Sequence, residues 1–327
     1  MKMIIPDVEW WPQKTAAQQI ASVGRICYKS KGKEPDENLS DEQKETFREE
    51  QATKLANRFW ESGHRSMYRH GSAYFFLKHE SRLPRYVWAF LTASPYISYE
   101  VKDHKVWISS NMQFLCEHGN VLEMLSKFSV KEEEFIQKAQ KYECKEALYL
   151  LRMTMVVTTQ ISTSRELNRT SPNCISEQST RYVNMEKKGG VQIARPHWLH
   201  EGTKWQKFLY LSGCKISDWL YRRLLKSGMK PQDARGILPL DTYTVVAYTY
   251  TIAEWQHILD LRFRETTGKA HPNAKEIGFE INRIITERMD ALNTKHSTFN
   301  INKNKLNENG KNDIKRISAE GSDNLPS

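Results

Sequence analysis

The chain of 327 residues lacks the features that mark several large classes of protein. Its five cysteines are odd in number and far apart, which argues against a disulfide framework and against a structural zinc site. No apolar run approaches the roughly 18 residues that span a bilayer, and the short apolar stretch before Pro6 is not a signal peptide. With 15 glycines and 11 prolines, the chain is not collagen-like. We therefore expect a reduced, cytoplasmic protein without a membrane partner or a metal site.

Positive charge and aromatic side chains are abundant instead. The 49 Lys and Arg residues against 39 Asp and Glu residues give a formal net charge of +10. Nine Trp, 14 Tyr and 12 Phe exclude a wholly disordered chain, because such chains lack aromatic surface to bury. The charge favours an anionic partner such as nucleic acid, acidic lipid or a phosphorylated small molecule. A solvated basic surface without a specific partner fits the composition equally well.

Local patterns in the first part of the chain predict a helix followed by strands. Ser40 and Gln43 have the spacing of a capping box, and the helix that they begin is expected to stop at Gly63. Residues 72–80 are apolar and rich in strand-forming side chains. Residues 96–110 alternate in polarity around a polar turn, which predicts a hairpin.

The second part of the chain predicts mainly helices. Residues 145–158 are apolar and β-branched towards their end, and this pattern fits a strand as well as a helix. Residues 191–198 begin as a strand that ends at the proline within them. Helical spacing of apolar residues then predicts three long helices, over 205–228, 244–263 and 272–289.

The densest polar cluster is RELNRTSPNCISEQSTRY, at residues 165–182. No Walker loop, GxGxxG, HExxH or GxSxG motif accompanies it, so the usual nucleotide, zinc-protease and esterase signatures are missing. Arginine forks match phosphate oxygens, and hydroxyl or backbone N–H groups complete such a cradle. A solvated junction between two helices has the same residue types, and both interpretations stay open. The polar members are Arg165, Glu166, Arg169, Ser171, Glu177, Ser179, Arg181 and Tyr182.

Four other short stretches place basic or reactive side chains beside apolar ones. They are RICYKS (25–30), GHRSMYRH (63–70), ARGILP (234–239) and LDLRFR (259–264). An arginine such as Arg262 on an apolar helical face is often snorkelling or paired with a carboxylate. Several such arginines in one chain make a convergent anion pocket more plausible. His64 and His70 fit a purely structural role as well as a functional one.

Together these blocks resemble the flavin-dependent thymidylate synthases, the ThyX type, from about residue 17 to 292. RICYKS and GHRSMYRHGSAYFF resemble the family's N-terminal segment and its GHxSxxEH block. RTSPNCISEQSTRY resembles its signature of Arg-His-Arg, seven residues and Ser, commonly continued by Arg-Tyr. ARGILPLDTYT and EWQHILDLR resemble the late blocks. An insert at about 95–145 and the RELNR stretch resemble a longer bacterial and phage branch.

The resemblance implies an α+β fold in which a mixed or antiparallel sheet is flanked by helices. One catalytic domain would cover residues 1–294, with a polar loop at about 31–40 and the insert at about 95–145. A flexible polar tail would follow over 295–327, where few apolar residues remain and six basic residues stand against four acidic ones. The family assembles as a homotetramer with its sites between subunits.

The activity implied by the resemblance is reductive methylation of dUMP at C5, which yields dTMP. Methylenetetrahydrofolate supplies the carbon, reduced FAD supplies the hydride, and NADPH re-reduces the flavin. Two alternatives stay open. One is a divergent enzyme that methylates UMP or hydroxymethylates a uridine nucleotide, and the other is a nucleotide-binding homologue that has lost catalysis. A small phosphorylated nucleotide suits the dispersed arginines better than a nucleic acid does.

The resemblance also implies roles for individual residues. Ser179 and Arg262 would be catalytic, with Arg262 against the uracil, where it stabilises developing charge. The nucleotide-binding positions are Glu166, Arg169, Glu177, Ser179, Arg181, Arg235 and Arg262. The flavin-contacting positions are His64, Ser66, Arg169, Ser176, Glu177 and His257.

Several positions depart from the family's pattern. Thr170 and Ser171 replace the His and the second Arg of Arg-His-Arg, Ser176 replaces an Asn, and Arg69 replaces a Glu. In the late block, Thr251 and Ala253 stand where members have an Asn and an Arg that help to hold flavin. The positions assigned to the nucleotide retain the family's residues, whereas several positions assigned to flavin carry different residues. Losing a cationic pair weakens flavin binding by a factor of about 10 to 100.

Cys174 lies five residues before Ser179 and raises the question of a nucleophilic thiolate. Cysteine addition to uracil C6 is the chemistry of the other, unrelated class of thymidylate synthase. We favour a packing role in a tight loop, because no general base stands beside Cys174 in the sequence.

Overall fold

Strands and helices alternate along the chain. The computed structural model describes residues 2–169, 174–181, 185 and 190–293. The strands are β1 (Lys2–Ile4), β2 (Asp7–Trp11), β3 (Ser72–Leu77), β4 (Ile97–Lys102), β5 (Lys105–Asn111), β6 (Ser129–Val130), β7 (Arg152–Gln160), β8 (Ile175–Glu177), β9 (Gln192–Ala194) and β10 (Tyr243–Thr251). The helices are α1 (Ala16–Tyr28), α2 (Asp41–Glu61), α3 (Arg85–Ala93), α4 (Met112–Glu117), α5 (Gly119–Ser126), α6 (Glu132–Lys141), α7 (Lys145–Leu148), α8 (Ile161–Leu167), α9 (Lys204–Lys226), α10 (Pro231–Ala234), α11 (Ile252–Arg262) and α12 (Pro272–Asn293).

The first sheet has the strand order β2-β7-β10-β8, and all of its strand pairs are antiparallel. The nine-residue strands β7 and β10 pair along their whole length, from Tyr243 opposite Gln160 to Thr251 opposite Arg152. Their side chains alternate between two faces. One face, with Tyr248 and Tyr250, packs in the main core with α11 and α12. The other face, with Ala247, packs against α1.

The second sheet has the order β4-β5-β3-β6, and its strand pairs are again antiparallel. The hairpin predicted over 96–110 is confirmed as β4 and β5. Its two turn residues, Asp103 and His104, both have positive φ (48° and 63°), as a type I′ turn requires. Phe76 and Trp107 join the main core, whereas Phe75 and Ile108 pack on the other face among residues of α3, α4 and α5.

Most of the predicted helices are confirmed. Helix α2 begins with the expected capping box, in which Ser40 Oγ accepts from Gln43 N and Gln43 Oε1 accepts from Ser40 N. The helices expected over 205–228 and 272–289 are α9 and α12. In the stretch 145–158 both alternatives occur in succession, as the short helix α7 and then β7.

The prediction of one helix over 244–263 is wrong for its first half. Residues up to Thr251 form β10, and the helix α11 begins only at Ile252. The β-branched and aromatic side chains of TVVAYTYT fit a central strand that is buried between β7 and β8. Thr251 and Glu254 form a capping box in the middle of the apolar run, and this signal marks the true helix start.

A third layer consists of the parallel pair β1 and β9 with α9 packed beside it. Cys214 and Tyr221 on the inner face of α9 contact a small core that includes Ile193 and Ala234. Within the described ranges, no helix is long and apolar enough to cross a membrane. Thr170, Ser171, Tyr182 and the segment 295–327 lie outside the described residues. The expected fold class, antiparallel sheets flanked by helices, is confirmed.

Candidate active site

Glu177 ends β8 and is fixed by two hydroxyl groups. Its Oε1 accepts from Ser164 Oγ on α8 at 3.0 Å and from Thr244 Oγ1 on β10 at 2.8 Å. Burial raises the pKa of Glu177, while the bonds from Thr244 and Ser164 and the charge of Arg165 act in the opposite direction. The carboxyl group is therefore held as an acceptor between α8 and the start of β10. Sequence reasoning missed Ser164 and Thr244, since neither lies near Glu177 in the chain.

The segment that follows Glu177 is anchored from three sides. Gln178 N donates to Val245 O, and Ser179 N donates to the carbonyl of Cys27 at the end of α1, both at 2.9 Å. Ser179 Oγ accepts from Arg181 N at 3.2 Å. Arg235, from the distant ARGILP block, donates through Nη1 to Thr180 Oγ1 at 2.7 Å. The fold thus brings the RTSPNCISEQSTRY stretch and the ARGILP stretch together.

Arg262 is the last residue of α11 and reaches the end of α8. Its Nε and Nη2 donate to the backbone carbonyl of Glu166 at 3.2 and 3.0 Å. This carbonyl also accepts from the backbone N–H of Asn168, and it lies at the C-terminus of α8, where the helix dipole attracts cations. Glu166 therefore orients Arg262 through its main chain, and neither bond uses Nη1 of the half-buried guanidinium.

His70 is completely buried and joins three strands. Its Nδ1 lies 2.8 Å from Thr249 Oγ1 and its Nε2 lies 2.8 Å from Ser176 Oγ. Thr249 Oγ1 is in turn 2.7 Å from Thr154 Oγ1. Burial, then the charges of Arg152 and Arg69, lower the pKa of His70 to about 3. His70 is thus a neutral structural histidine, one of the two roles that the sequence left open.

Ser176 and Glu177 lie on opposite faces of the first sheet. As neighbours in β8 they pair with Ala247 and Val246, and side chains alternate along a strand. Ser176 is buried towards His70, whereas Glu177 faces α8. The side chains of these two positions, both of which the resemblance assigned to flavin, therefore point to opposite faces of the sheet.

Cys174 is buried and its Sγ donates to the carbonyl of Arg69 at 3.0 Å. Burial is the largest influence on its pKa, which rises to about 11. A thiol in this state is poorly nucleophilic at neutral pH. The reason drawn from the sequence was wrong in one respect, because the imidazole Nδ1 of His70 lies 3.9 Å from the Cys174 sulfur. Burial of both groups still supports the packing role.

Three of the expected flavin contacts lie on the surface, at two separate places. His64 and Ser66 are exposed at the start of the 3₁₀ helix Arg65–His70, and the His64 ring is 6.4 Å from that of Tyr28 in α1. His257 is exposed on α11. Across the described ranges, no hydrogen bond or ring contact joins His257 to His64 or to Glu177. The Thr251 hydroxyl is used by its capping box, since it accepts from Glu254 N and donates to Glu254 Oε2.

The family model described as thymidylate synthase complementing protein matches residues 103–289, more than half of the chain. The chain belongs to this family. The expected class of enzyme, a methyltransferase of the thymidylate synthase type, is thereby confirmed, as is the resemblance to ThyX. The matched range includes Glu177, Ser179, Arg235 and Arg262, whereas His64 and Ser66 precede it.

Two solved structures with a distant similarity are chains of the UMP/dUMP methylase PolB from Streptomyces cacaoi. The one bound with 5-Br UMP is 20% identical, and the match covers 49% of this chain and 80% of that chain with a TM-score of 0.38. The one bound with 5-Br dUMP is 16% identical, and the match covers 90% and 97% with a TM-score of 0.39. No curated protein matches the chain.

Proposed function

We propose that the protein transfers a one-carbon unit to C5 of a uridine nucleotide, with dUMP methylated to dTMP as the first candidate reaction. The observation that carries this proposal is the family match across the segment in which Ser179, Arg181 and Arg235 come together. Methylation of UMP and hydroxymethylation are the alternatives within the same chemistry.

The basic side chains around Ser179 would bind the nucleotide phosphate. Arg169, Arg181 and Arg235 are exposed at the end of α8, in the anchored segment and in the ARGILP block, respectively. Guanidinium forks bind phosphate oxygens bidentately, and charge-assisted bonds are about twice as strong as neutral ones. The Ser179 hydroxyl accepts from Arg181 N, and its own proton is not used in that bond. It stays available to a ligand.

Glu177 and Arg262 would bind the pyrimidine ring. Glu177 Oε1 is held by two hydroxyls beside α8, and Arg262 is held at the end of the same helix. A carboxylate accepts from an N–H of the base, and a guanidinium stabilises negative charge that develops on its carbonyl oxygens. Because the partners hold both groups before any substrate arrives, little reorganisation is needed during the reaction.

The hydride for a reductive methylation comes from a cofactor, because no side chain delivers one. FAD supplies it when reduced, with NADPH and methylenetetrahydrofolate as co-substrates. His64, Ser66, Arg169 and His257 are exposed and offer polar contacts to such a group. The late block fits less well, because the Thr251 hydroxyl is engaged and Ala253 has no polar group. In a homotetramer, which the family resemblance implies, residues of different subunits would share such a site.

The decisive experiment measures tritium release from 5-labelled dUMP and from 5-labelled UMP by the full chain with methylenetetrahydrofolate, FAD and NADPH. Release with one nucleotide identifies the substrate, and mass spectrometry of the product separates a methyl from a hydroxymethyl group. Calorimetric binding of dUMP or UMP without any release supports the nucleotide-binding homologue. If neither nucleotide binds, the proposal fails.

The exposed Ala253 permits a direct test of the altered flavin side. Ala253→Arg is expected to tighten FAD binding by about 10-fold, the contribution of one hydrogen bond to a charged group. Titration of FAD fluorescence measures this without reference to activity. Asn120→Arg adds the same charge at an exposed position on α5, beside the second sheet, and should leave the affinity unchanged. Equal effects of both variants would contradict a specific contact at position 253.

A further inference from the structure

A cavity of about 310 Å³ lies between α3 and α4, in the part of the chain that surrounds the second sheet. We call it the α3–α4 cavity. Its volume is at the lower end of the range for small-molecule sites and suits one ring with a short substituent. None of the described residues that the resemblance assigned to the nucleotide or to flavin lines it. The lining residues on which the inference rests are Arg69, Phe90, Tyr96, Asn111, Phe114 and His118.

Aromatic rings form much of the wall of this cavity. Phe90 in α3 meets Phe114 of α4 edge to face, with ring centres 5.9 Å apart. The imidazole of His118 stacks on Phe114, with ring centres 4.4 Å apart. Tyr96 carries the guanidinium of Arg69 at 5.3 Å from its ring centre. A flat aromatic group packs well against rings in offset or edge-to-face arrangements, so the wall favours an aromatic ligand.

Arg69 provides a fixed positive charge in the cavity. Its Nε donates to Gln113 Oε1 at 2.7 Å, and its guanidinium lies against the Tyr96 ring, so the group is held in place before a ligand arrives. A guanidinium binds a carboxylate through charge-assisted hydrogen bonds. Arg69 also stands in place of a Glu in the GHxSxxEH block, a departure that the proposed reaction does not explain.

A second donor is the side-chain amide of Asn111, a residue with only 1% of its surface exposed. Asn111 Oδ1 accepts from Phe114 N at 2.8 Å, which fixes the orientation of the amide, since a backbone N–H can only donate. Within the described ranges, this is the one hydrogen bond that the Asn111 side chain makes. Nδ2 therefore keeps unused donors at the cavity, and a buried donor without a partner is costly. A ligand oxygen would satisfy it.

The charged side chains around the cavity limit the charge of the ligand. Glu117 is exposed at the rim, where its Oε1 accepts from Gln113 Nε2 at 2.8 Å. Gln113 thus stands between this carboxylate and Arg69, to which it is bonded through Oε1. One guanidinium beside one carboxylate suits a singly charged anion, whereas a di- or triphosphate would meet too few cations and would be repelled by Glu117. A carboxylate is the matching group.

We infer that the α3–α4 cavity binds a small aromatic monocarboxylate. The ring lies among Phe90, Tyr96 and Phe114, and the carboxylate accepts from the guanidinium of Arg69 and from Asn111 Nδ2. The inference goes beyond the proposed reaction, because this ligand is neither the nucleotide nor the flavin. It does not depend on which nucleotide is the substrate, and its test uses binding rather than turnover.

The first test uses 4-fluorobenzoate and the full chain, with binding followed through the fluorine NMR signal of the probe. For a ligand of this size we expect a dissociation constant of about 1 mM. The cation 4-fluorobenzylamine should bind at least about 10-fold more weakly, because it cannot accept from Arg69 or Asn111. An absence of binding, or equal binding of acid and amine, would overturn the inference. So would displacement of 4-fluorobenzoate by dUMP or UMP, which would place the probe at the nucleotide site.

Charge variants test the assigned polar groups. Arg69→Gln is expected to weaken 4-fluorobenzoate binding by about 10- to 100-fold, the effect of losing hydrogen bonds from a charged group. Arg65→Gln removes the same charge from the same 3₁₀ helix, where the Arg65 guanidinium lies over Trp60, and should leave the affinity unchanged. Glu117→Gln should instead tighten binding by about 2- to 5-fold, since it removes a like charge near the carboxylate. Equal effects of Arg69→Gln and Arg65→Gln, or weaker binding in Glu117→Gln, would refute the assigned contacts.

A filling variant tests the cavity itself without changing its polar groups. Ala93 lines the cavity at the end of α3 and is exposed, so Ala93→Trp should occupy the space of the ring and abolish binding of the probe. Ala89→Trp, four residues earlier and also exposed, adds the same side chain outside the lining. Circular dichroism should show native helix content in both variants. Binding that survives in Ala93→Trp, or that is lost equally in both variants, would show that the probe binds elsewhere and would overturn the inference.

Discussion

Replacement of Arg262 by alanine is expected to lower kcat by about 100- to 1000-fold, the usual effect of removing one preorganised donor from a site of charge development. The guanidinium is held by the carbonyl of Glu166 through Nε and Nη2, so that its position does not depend on the substrate. Initial rates of tritium release from the labelled nucleotide measure the change. Loss of the two bonds should lower the free energy of unfolding by only about 1–3 kcal/mol.

Arg264 provides a matched control two residues away. Its guanidinium is bonded to Asp260 Oδ1 at 2.6 Å and to Gln256 Oε1 at 2.6 Å on the surface of α11. Arg264→Ala should therefore retain turnover within a few-fold. Arg262→Lys keeps a positive charge but loses the fork, and its kcat should fall between those of wild type and Arg262→Ala. If Arg262→Ala and Arg264→Ala lost activity equally, a direct role of Arg262 in the reaction would be refuted.

Acidification is expected to destabilise the protein through His70. In the unfolded chain a histidine binds a proton below about pH 6.5, whereas folded His70 stays neutral down to a pKa of about 3. The unfolded state therefore binds more protons between these values, and the free energy of unfolding falls as the pH falls. From pH 6.5 to pH 4 the loss amounts to about 3 kcal/mol. Denaturant unfolding at a series of pH values measures it.

Two variants separate His70 from the other titrating groups. His70→Gln retains hydrogen-bonding groups towards Thr249 or Ser176 but cannot titrate, so it should be less stable at pH 7 and show a flatter dependence on pH. His104→Gln changes an exposed histidine that is paired with Glu80 and should leave the slope as in the wild type. An unchanged acid slope in His70→Gln would mean that His70 does not govern the loss.

Predictions from the sequence succeeded where the signal was local. The capping box at Ser40, the hairpin at 96–110 and the long amphipathic helices α9 and α12 each follow from residues within a few positions of one another. The stretch 244–251 failed because apolar spacing alone does not separate a buried strand from a helix. Only the pairing of β10 with both β7 and β8 decides between them.

In the candidate site, too, the sequence predicted what depends on local order and missed what depends on tertiary contacts. The resemblance to the family implied a nucleotide-binding role for Glu177, Ser179, Arg235 and Arg262, but the sequence did not reveal the groups that hold these side chains. Ser164 and Thr244 on Glu177, and the main-chain carbonyl of Glu166 under Arg262, come from other elements. Likewise, nothing in the spacing of His70 revealed that Thr249 and Ser176 would enclose it.

The sequence by itself determined the family, most of the helices and the residue types available for chemistry, because these depend on local order along the chain. The tertiary structure decided that Ser176 and Glu177 face opposite sides of a sheet, that Cys174 is a buried thiol, and that the apolar stripe of α9 faces outward. Each of these depends on which distant segments pack against a residue. Burial and hydrogen-bond partners then set its charge state and its accessibility.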